Sequence, residues 1–135
     1  MSNQKYDQLR YLAATGGLDW VADSISLVVV SGYVFDQTHA TLTAITTAGA
    51  TVVGSGQLNN KTALTTGRVT SDDVSVAKIP AGTYQAILVV QKFGNSYPLV
   101  FLDATYLDEA FVLASGGDLI FRPNGDIGDG VWVTF

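Results

Sequence analysis

Two apolar segments joined by a turn constrain the fold more than any other feature of this sequence. The first, "YQAILVVQKF", spans residues 84–93, and the second, "PLVFLDATY", spans residues 98–106. Between them lies "GNSY", which contains residues typical of hairpin turns. Since both segments are nearly continuous in apolar residues, both faces of the hairpin must be covered. We therefore predict two antiparallel strands packed beneath a second sheet or a helix.

The residues before this hairpin predict one or two short helices. The opening "KYDQLRYLAATGG" places apolar side chains on one helical face and ends in a glycine pair that stops a helix. These residues are Tyr6, Leu9, Leu12 and Ala13, followed by Gly16 and Gly17. Asp36 is a candidate cap for a second short helix over residues 37–45, with Leu42 and Ile45 facing inward.

The remaining pattern is one of strands and turns. Ile25, Leu27 and Val29 alternate with their neighbours, as do Val74 and Val76 further on. "GSGQ" at residues 54–57 is interpreted as a flexible loop, since neither a Lys-Ser/Thr pair nor a helix start follows it. The sum is about eight short strands, which predicts a mainly β fold. We expect residues 1–135 to form a single β-rich domain, either an antiparallel β-sandwich or a partly closed barrel.

Composition excludes several classes of protein. Apolar residues make up 47% of the chain and charged residues 14%, which excludes disorder. The net charge is −5 and the seven basic residues form no run, so we expect no nucleic-acid partner. The chain has no cysteine, and its longest apolar runs are too short to span a membrane. The polar N-terminus lacks the apolar centre of a signal peptide, so we expect no membrane partner and function where the protein is made.

The loop "NGDIGDG" at residues 124–130 has two interpretations. Asn124, Asp126 and Asp129 could supply oxygen ligands to calcium. However, their spacing does not alternate evenly and no glutamate follows them. Asn-Gly and Asp-Gly are also the commonest dipeptides of hairpin turns. We therefore expect a metal-free turn.

The remaining polar residues do not form a recognisable catalytic set. His39, the single histidine, has Asp36, Thr38 and Thr41 nearby, and we interpret it as a surface or loop-anchoring residue. The acidic pairs Asp72-Asp73 and Asp108-Glu109 are adjacent in sequence, so within a strand their side chains would point to opposite faces. No nucleotide-binding or nucleophile motif occurs. We expect no catalytic, metal-binding or cofactor-binding residues, no cofactor and no enzymatic activity.

The aromatic residues leave a second kind of site open. An all-β frame can present exposed rings to a carbohydrate, and six residues of this chain are candidates for such a platform. Trp20 and Trp132, however, lie beside or inside apolar segments, which favours core packing for both. The six residues are Trp20, Tyr33, Tyr84, Tyr97, Tyr106 and Trp132.

The order of these segments resembles that of small structural virion proteins of tailed bacteriophages and prophages. The pattern is an N-terminal helix, a Gly-x-Asp-Trp segment with an apolar strand and a Tyr-containing turn, a short segment with a histidine, a Gly-x-Gly stretch, an acidic doublet, a hairpin and a Gly-rich ending. The matching stretches are "GLDWVADSISLVVVSGYVFD", "THATLTAI", "GSGQLNNKTAL", "DDVSV", "GTYQAILVVQKFGNSYPLVFLDAT" and "NGDIGDGVWVTF".

This resemblance implies a capsid-decorating or cement protein located in the virion and assembled in the host cytoplasm. The implied partner is the major capsid protein, and the chain is expected to form a homo-oligomer, with a trimer as one option. The resemblance carries no catalytic residue. The alternative function is a carbohydrate- or receptor-binding β module at a tail tip.

Overall fold

A computed structural model of the chain describes residues 4–65, 67–92, 94–102, 111–113, 117–121, 123 and 132–134. Within these residues it contains two helices and eleven strands. In chain order they are β1 (Gln4–Lys5), α1 (Asp7–Thr15), β2 (Ser24–Ser31), α2 (Leu42–Thr47), β3 (Thr51–Gln57), β4 (Thr62–Ala63), β5 (Arg68–Thr70), β6 (Val74–Ile79), β7 (Gly82–Lys92), β8 (Asn95–Phe101), β9 (Phe111–Leu113), β10 (Gly117–Phe121) and β11 (Val133–Thr134).

The main sheet is antiparallel and has the strand order β1-β8-β7-β2-β3. Strand β7 is the longest, and its first three residues pair with β9 before the rest pairs with β2 and β8. Two smaller sheets, β6 with β10 and β4 with β5 and β11, complete the described strands. The fold is thus mainly β, as predicted, and the main sheet does not close into a barrel over the described ranges.

The central strands of the main sheet are buried on both faces, as their apolar sequences predicted. In β2, alternate residues enter two separate clusters. Leu27 and Val29 pack in a cluster with Val74, Val76 and Ile79 of β6. The intervening Val28 and Val30 pack on the opposite face of the sheet, in a cluster that includes Ile45 of α2. Each fully buried aliphatic side chain contributes about 1.5–3 kcal/mol, so the two layers hold the sheet between them.

The predicted hairpin is present with a tighter turn than "GNSY" implied. Lys92 pairs with Asn95, so β8 begins inside the stretch that was interpreted as a turn. Gly94 has φ +76°, a conformation that glycine adopts without steric cost. Composition identified the turn correctly, but the register of β7 and β8 extends the ladder into it.

The N-terminal helix is confirmed, whereas the second helix spans Leu42–Thr47 instead of the predicted 37–45 and has a different cap. Helix α1 ends at Gly16, which has φ 71°, and it buries Leu9 and Leu12. Helix α2 begins after Thr41, whose hydroxyl accepts a hydrogen bond from the Ala44 amide. The predicted cap, Asp36, instead binds the amide and hydroxyl of Thr38.

The "GSGQ" segment is part of β3, so its interpretation as a flexible loop was wrong. Its glycines allow β6 to pack closely against β3. A Cβ atom at Gly56 would lie 2.7 Å from the carbonyl oxygen of Ser75, and one at Gly54 would lie 2.6 Å from Cδ1 of Ile79. The two glycines that suggested a loop are therefore, in this fold, required for the close packing of β6 on β3.

Candidate functional site

A cavity lies where β2 ends and the chain turns toward α2. It has a volume of about 560 Å³ and is lined by residues 32–37, together with His39 and Ala48. Tyr33 and Phe35 from this segment pack inward against Phe101 of β8. Val34, between them, points outward and is 85% exposed. The cavity thus has a rigid aromatic floor and one protruding apolar side chain.

A chain of hydrogen bonds anchors this segment to the start of α1. The hydroxyl groups of Tyr6 and Tyr33 are 2.7 Å apart, and the Tyr33 hydroxyl lies 3.0 Å from Nδ1 of His39. The amide of Asp7 also donates to the carbonyl oxygen of Gln37. His39 therefore anchors the loop, as one of its two sequence interpretations proposed.

Burial and hydrogen bonding set the charge states around this chain. Burial, followed by the hydrogen bond to Tyr33, raises the pKa of the Tyr6 phenol far above its usual value. Burial also raises the pKa of Tyr33. The hydroxyl and amide of Thr38 lower the pKa of the exposed Asp36 carboxyl. At neutral pH the two phenols are therefore neutral and the Asp36 carboxyl is ionised.

The threonines beside His39 are already engaged in local structure. The Thr38 hydroxyl donates to Asp36 at 2.6 Å, and the Thr41 hydroxyl caps α2. The Thr38 hydroxyl thus closes the turn that follows Asp36, and the Thr41 hydroxyl fixes the start of α2. In the part of the chain that the structure describes, the cavity lining brings one acidic residue, Asp36, to His39.

The alkaline stability of the protein should depend on these buried phenols. Tyrosines of the unfolded chain ionise near pH 10.0, whereas Tyr6 keeps its proton to higher pH. Above pH 10.0 the native state therefore binds more protons than the unfolded state, and the free energy of unfolding falls. The loss for Tyr6 is at most about 1.4 kcal/mol per pH unit. Urea unfolding at a series of alkaline pH values measures this slope.

Two tyrosines near the start of the chain, one buried and one exposed, provide a matched pair of variants for this prediction. Tyr6→Phe removes the buried phenol and should make the alkaline fall shallower. Tyr11→Phe changes an exposed ring and should leave the slope as in the wild type. Equal slopes for all three proteins would contradict the role assigned to Tyr6.

A second polar cluster closes the loop between α1 and β2. The Asp19 carboxylate accepts hydrogen bonds from the amides of Val21 and Ala22, and Asp23 accepts one from the Asp19 amide. Trp20 is buried beneath this turn and donates from Nε1 to the carbonyl oxygen of Thr70. The "GLDWVAD" segment therefore forms a self-bonded turn fixed to β5.

Two lysines tie the same turn to the rest of the sheet. The ammonium group of Lys92 lies 3.1 Å from the Asp23 carboxylate and donates to the Gly17 carbonyl oxygen at 2.5 Å. Lys61 donates to the Asp23 carbonyl oxygen. Burial lowers the pKa of Lys61, while Asp23 and Asp19 oppose that shift. These contacts join the turn before β2 to β7 and to the residue before β4.

The other sequence candidates are distributed as follows. Trp20, Tyr33, Tyr84 and Trp132 are buried, and Tyr97 is half-buried, so these rings do not form an exposed platform. Asp72 lies in a turn and accepts a hydrogen bond from the Asn60 side chain at 2.6 Å. Asp73 immediately precedes β6. Tyr106, the Asp108-Glu109 pair and the 124–130 loop lie outside the described residues.

Sequence reasoning missed one surface. Residues 37–60 contain no Asp, Glu, Lys or Arg, although charged residues make up 14% of the whole chain. This segment includes α2 and β3, and many of its side chains are exposed. A simple scan for the longest interval between charged residues would have found it.

Comparisons with protein-family models, characterised proteins and solved structures find no significant match to this chain. Within the described ranges, no three His, Asp or Glu side chains converge as metal ligands. A search of the same ranges for a helix long and apolar enough to cross a membrane also finds none.

Proposed function

We propose that this chain is a non-enzymatic structural protein of a tailed-phage virion that binds the capsid surface and stabilises it. The observation that carries the proposal is that the residues on which the resemblance depends have structural roles in this fold. Asp19, Trp20 and Asp23 lock a turn, while Gly54 and Gly56 admit the second layer. These residues stabilise the turn before β2 and the packing of β6 on the main sheet, and we assign them no role in a reaction site.

A stiff frame is what a cement protein requires. Such a protein stabilises a shell by holding neighbouring capsid subunits at a fixed separation. Deforming the cement protein must therefore require more energy than deforming the contacts between those subunits. The main sheet here is packed on both faces, and the loop at residues 32–37 is anchored to α1 by hydrogen bonds. The protruding Val34 would lose little freedom on binding, because its neighbours Tyr33 and Phe35 are already fixed.

The charge of the chain supports the same role. A net charge of −5 opposes non-specific association of the free protein before assembly. It also favours a basic region on the partner, for which we propose the major capsid protein. In this proposal the protein is a virion component added in the host cytoplasm, and copies assemble as a homo-oligomer.

Purified virions provide the direct test of this proposal. Mass spectrometry should detect the chain in intact particles, and the purified protein should sediment with assembled capsids. Capsids that lack it should release their DNA at a lower temperature than complete capsids, as measured with a DNA-binding dye. Absence of the chain from virions would contradict the location, and equal release temperatures would contradict the stabilising role.

A variant of the exposed loop sharpens this experiment. Val34→Ser replaces the protruding apolar side chain by a polar one without changing the charge, and should weaken sedimentation with capsids without unfolding the protein. Val21→Ser changes another exposed valine, which is 54% exposed in the turn before β2, and serves as the matched control. If both variants bind capsids as the wild type does, the loop does not form the contact.

A further inference from the structure

The charge-free surface of residues 37–60 is suited to contact with its own copy. The centres of protein interfaces are depleted in charged residues. Hydroxyl and amide side chains both donate and accept hydrogen bonds, so a surface of Thr, Ser, Gln and Asn can complement itself. The acidic surface elsewhere on a chain of net charge −5 would instead repel another copy.

Strand β3 lies at the edge of the main sheet within this surface. It pairs with β2 on one side, and over the described ranges no strand pairs with its other side. The Leu58 amide donates to the carbonyl oxygen of Ile25. This bond shows which residues of β3 direct their backbone N–H and C=O groups toward β2, because the direction alternates from one residue to the next. Residues one and three positions earlier, Gln57 and Ser55, therefore direct their backbone N–H and C=O groups away from β2.

Strand β6, an edge strand of one of the smaller sheets, carries features that prevent pairing, and most of β3 does not. Strand β6 contains the charged Lys78 at φ 60° within a bulge opposite Asp118, and Pro80 follows it. Charges, bulges and prolines are the usual means of preventing edge-to-edge contact. Strand β3 has its own bulge near Val53, but the regular stretch Gly54–Gln57 has no charge and no proline.

We propose that two copies of this chain form a dimer in which their β3 strands pair antiparallel about a two-fold axis at Gly56. Ser55 would then exchange two backbone hydrogen bonds with Gln57 of the partner subunit, and the symmetry repeats the exchange. Gly56 faces its equivalent at the axis, where neither copy carries a side chain. The result is one continuous sheet across both copies.

This inference is independent of the capsid role, because it depends only on the edge strand and its charge. It favours a dimer over the trimer that was one option for the homo-oligomer, since an antiparallel pair of identical strands has two-fold symmetry. A chain that dimerises without binding capsids would support this inference and contradict the proposed function.

The solution mass tests the dimer. We expect the wild type to approach twice the chain mass of 14.3 kDa as its concentration rises, measured by analytical ultracentrifugation. The double variant S55K/Q57K places lysines opposite one another across the axis and should raise the dimer Kd by about tenfold or more. Thr83→Lys, at an exposed position in the first part of β7, is the matched control and should leave Kd unchanged.

Cysteine cross-linking tests the register, because the natural chain has no cysteine. Ser55→Cys and Gln57→Cys should form a disulfide when the two variants are mixed and oxidised, since these positions lie opposite each other in the proposed pair. Each variant alone should cross-link much less. Circular dichroism verifies that every variant is folded.

Three results would overturn the proposal. They are a wild type that remains monomeric or forms a trimer, a folded S55K/Q57K variant with unchanged Kd, and equal cross-linking in the mixed and separate cysteine variants. The first addresses the dimer itself, the second its location and the third its two-fold register.

Discussion

Replacement of Trp20 by alanine should lower the free energy of unfolding by about 3–5 kcal/mol, the range for deletion of a large buried aromatic side chain. The ring is 4% exposed and packs in the cluster between the main sheet and β6. Its Nε1 also donates to the Thr70 carbonyl oxygen at 3.1 Å. Since small proteins are stable by only about 5–15 kcal/mol, Trp20→Ala should remove a large part of the total. Urea unfolding followed by circular dichroism measures the loss.

Two further variants separate the contributions of the ring and its N–H group. Trp20→Phe keeps an aromatic side chain but removes the hydrogen bond, so it should cost less than the alanine variant, with about 1 kcal/mol due to the bond. Tyr11→Ala removes a ring that is 61% exposed and should change stability by about 0.5 kcal/mol or less. A loss for Trp20→Ala no larger than that for Tyr11→Ala would show that the "GLDW" turn does not depend on its tryptophan.

The central hairpin could be predicted from sequence because its evidence is local and redundant. Continuous apolar residues over β7 and β8 leave one solution, a strand pair covered on both faces. Helix α1 was predictable for a similar reason, since apolar spacing and Gly16 both indicate its bounds. The buried positions of Trp20 and Trp132 followed from their apolar neighbours.

The contacts at the candidate site were not predictable, because they join residues that are distant in the chain. Tyr6 and Tyr33 are 27 positions apart, and nothing in either segment indicates that their hydroxyl groups meet. Lys92 and Gly17 are 75 positions apart. The cap of α2 was assigned to Asp36 although Thr41 provides it, since several residues of this segment can act as caps and only the folded backbone selects one.

The "GSGQ" segment shows why local composition can mislead. Glycine is most often a turn residue, and two glycines around a serine favour a loop when only neighbours are considered. In the fold, the glycines are required because β6 approaches β3 closely on one face. The information that distinguishes the two cases lies in Val74, Val76 and Ile79, some twenty residues later in the chain.

Replacement of Gly56 by alanine should therefore destabilise the protein by about 3 kcal/mol, at the upper end of the usual cost of overpacking. The added methyl group would lie 2.7 Å from the Ser75 carbonyl oxygen and 2.8 Å from Cγ1 of Val74. A backbone oxygen cannot rotate away as a side chain can, so β6 as a whole must move. Chemical unfolding gives the magnitude of the loss.

Three glycines of this chain form a series that tests the same cause. At Gly54 the new methyl group would meet the ends of the Ile79 and Val76 side chains, which can shift, so Gly54→Ala should cost less than Gly56→Ala. At Gly117 nothing lies within 4 Å, so Gly117→Ala should be neutral or slightly stabilising, since alanine reduces the entropy of the unfolded chain. The expected order of cost is thus Gly56, Gly54 and Gly117. If all three variants lost equal stability, the cost would come from β-strand backbone preference alone, and the close contact of β3 with β6 would not be what requires glycine.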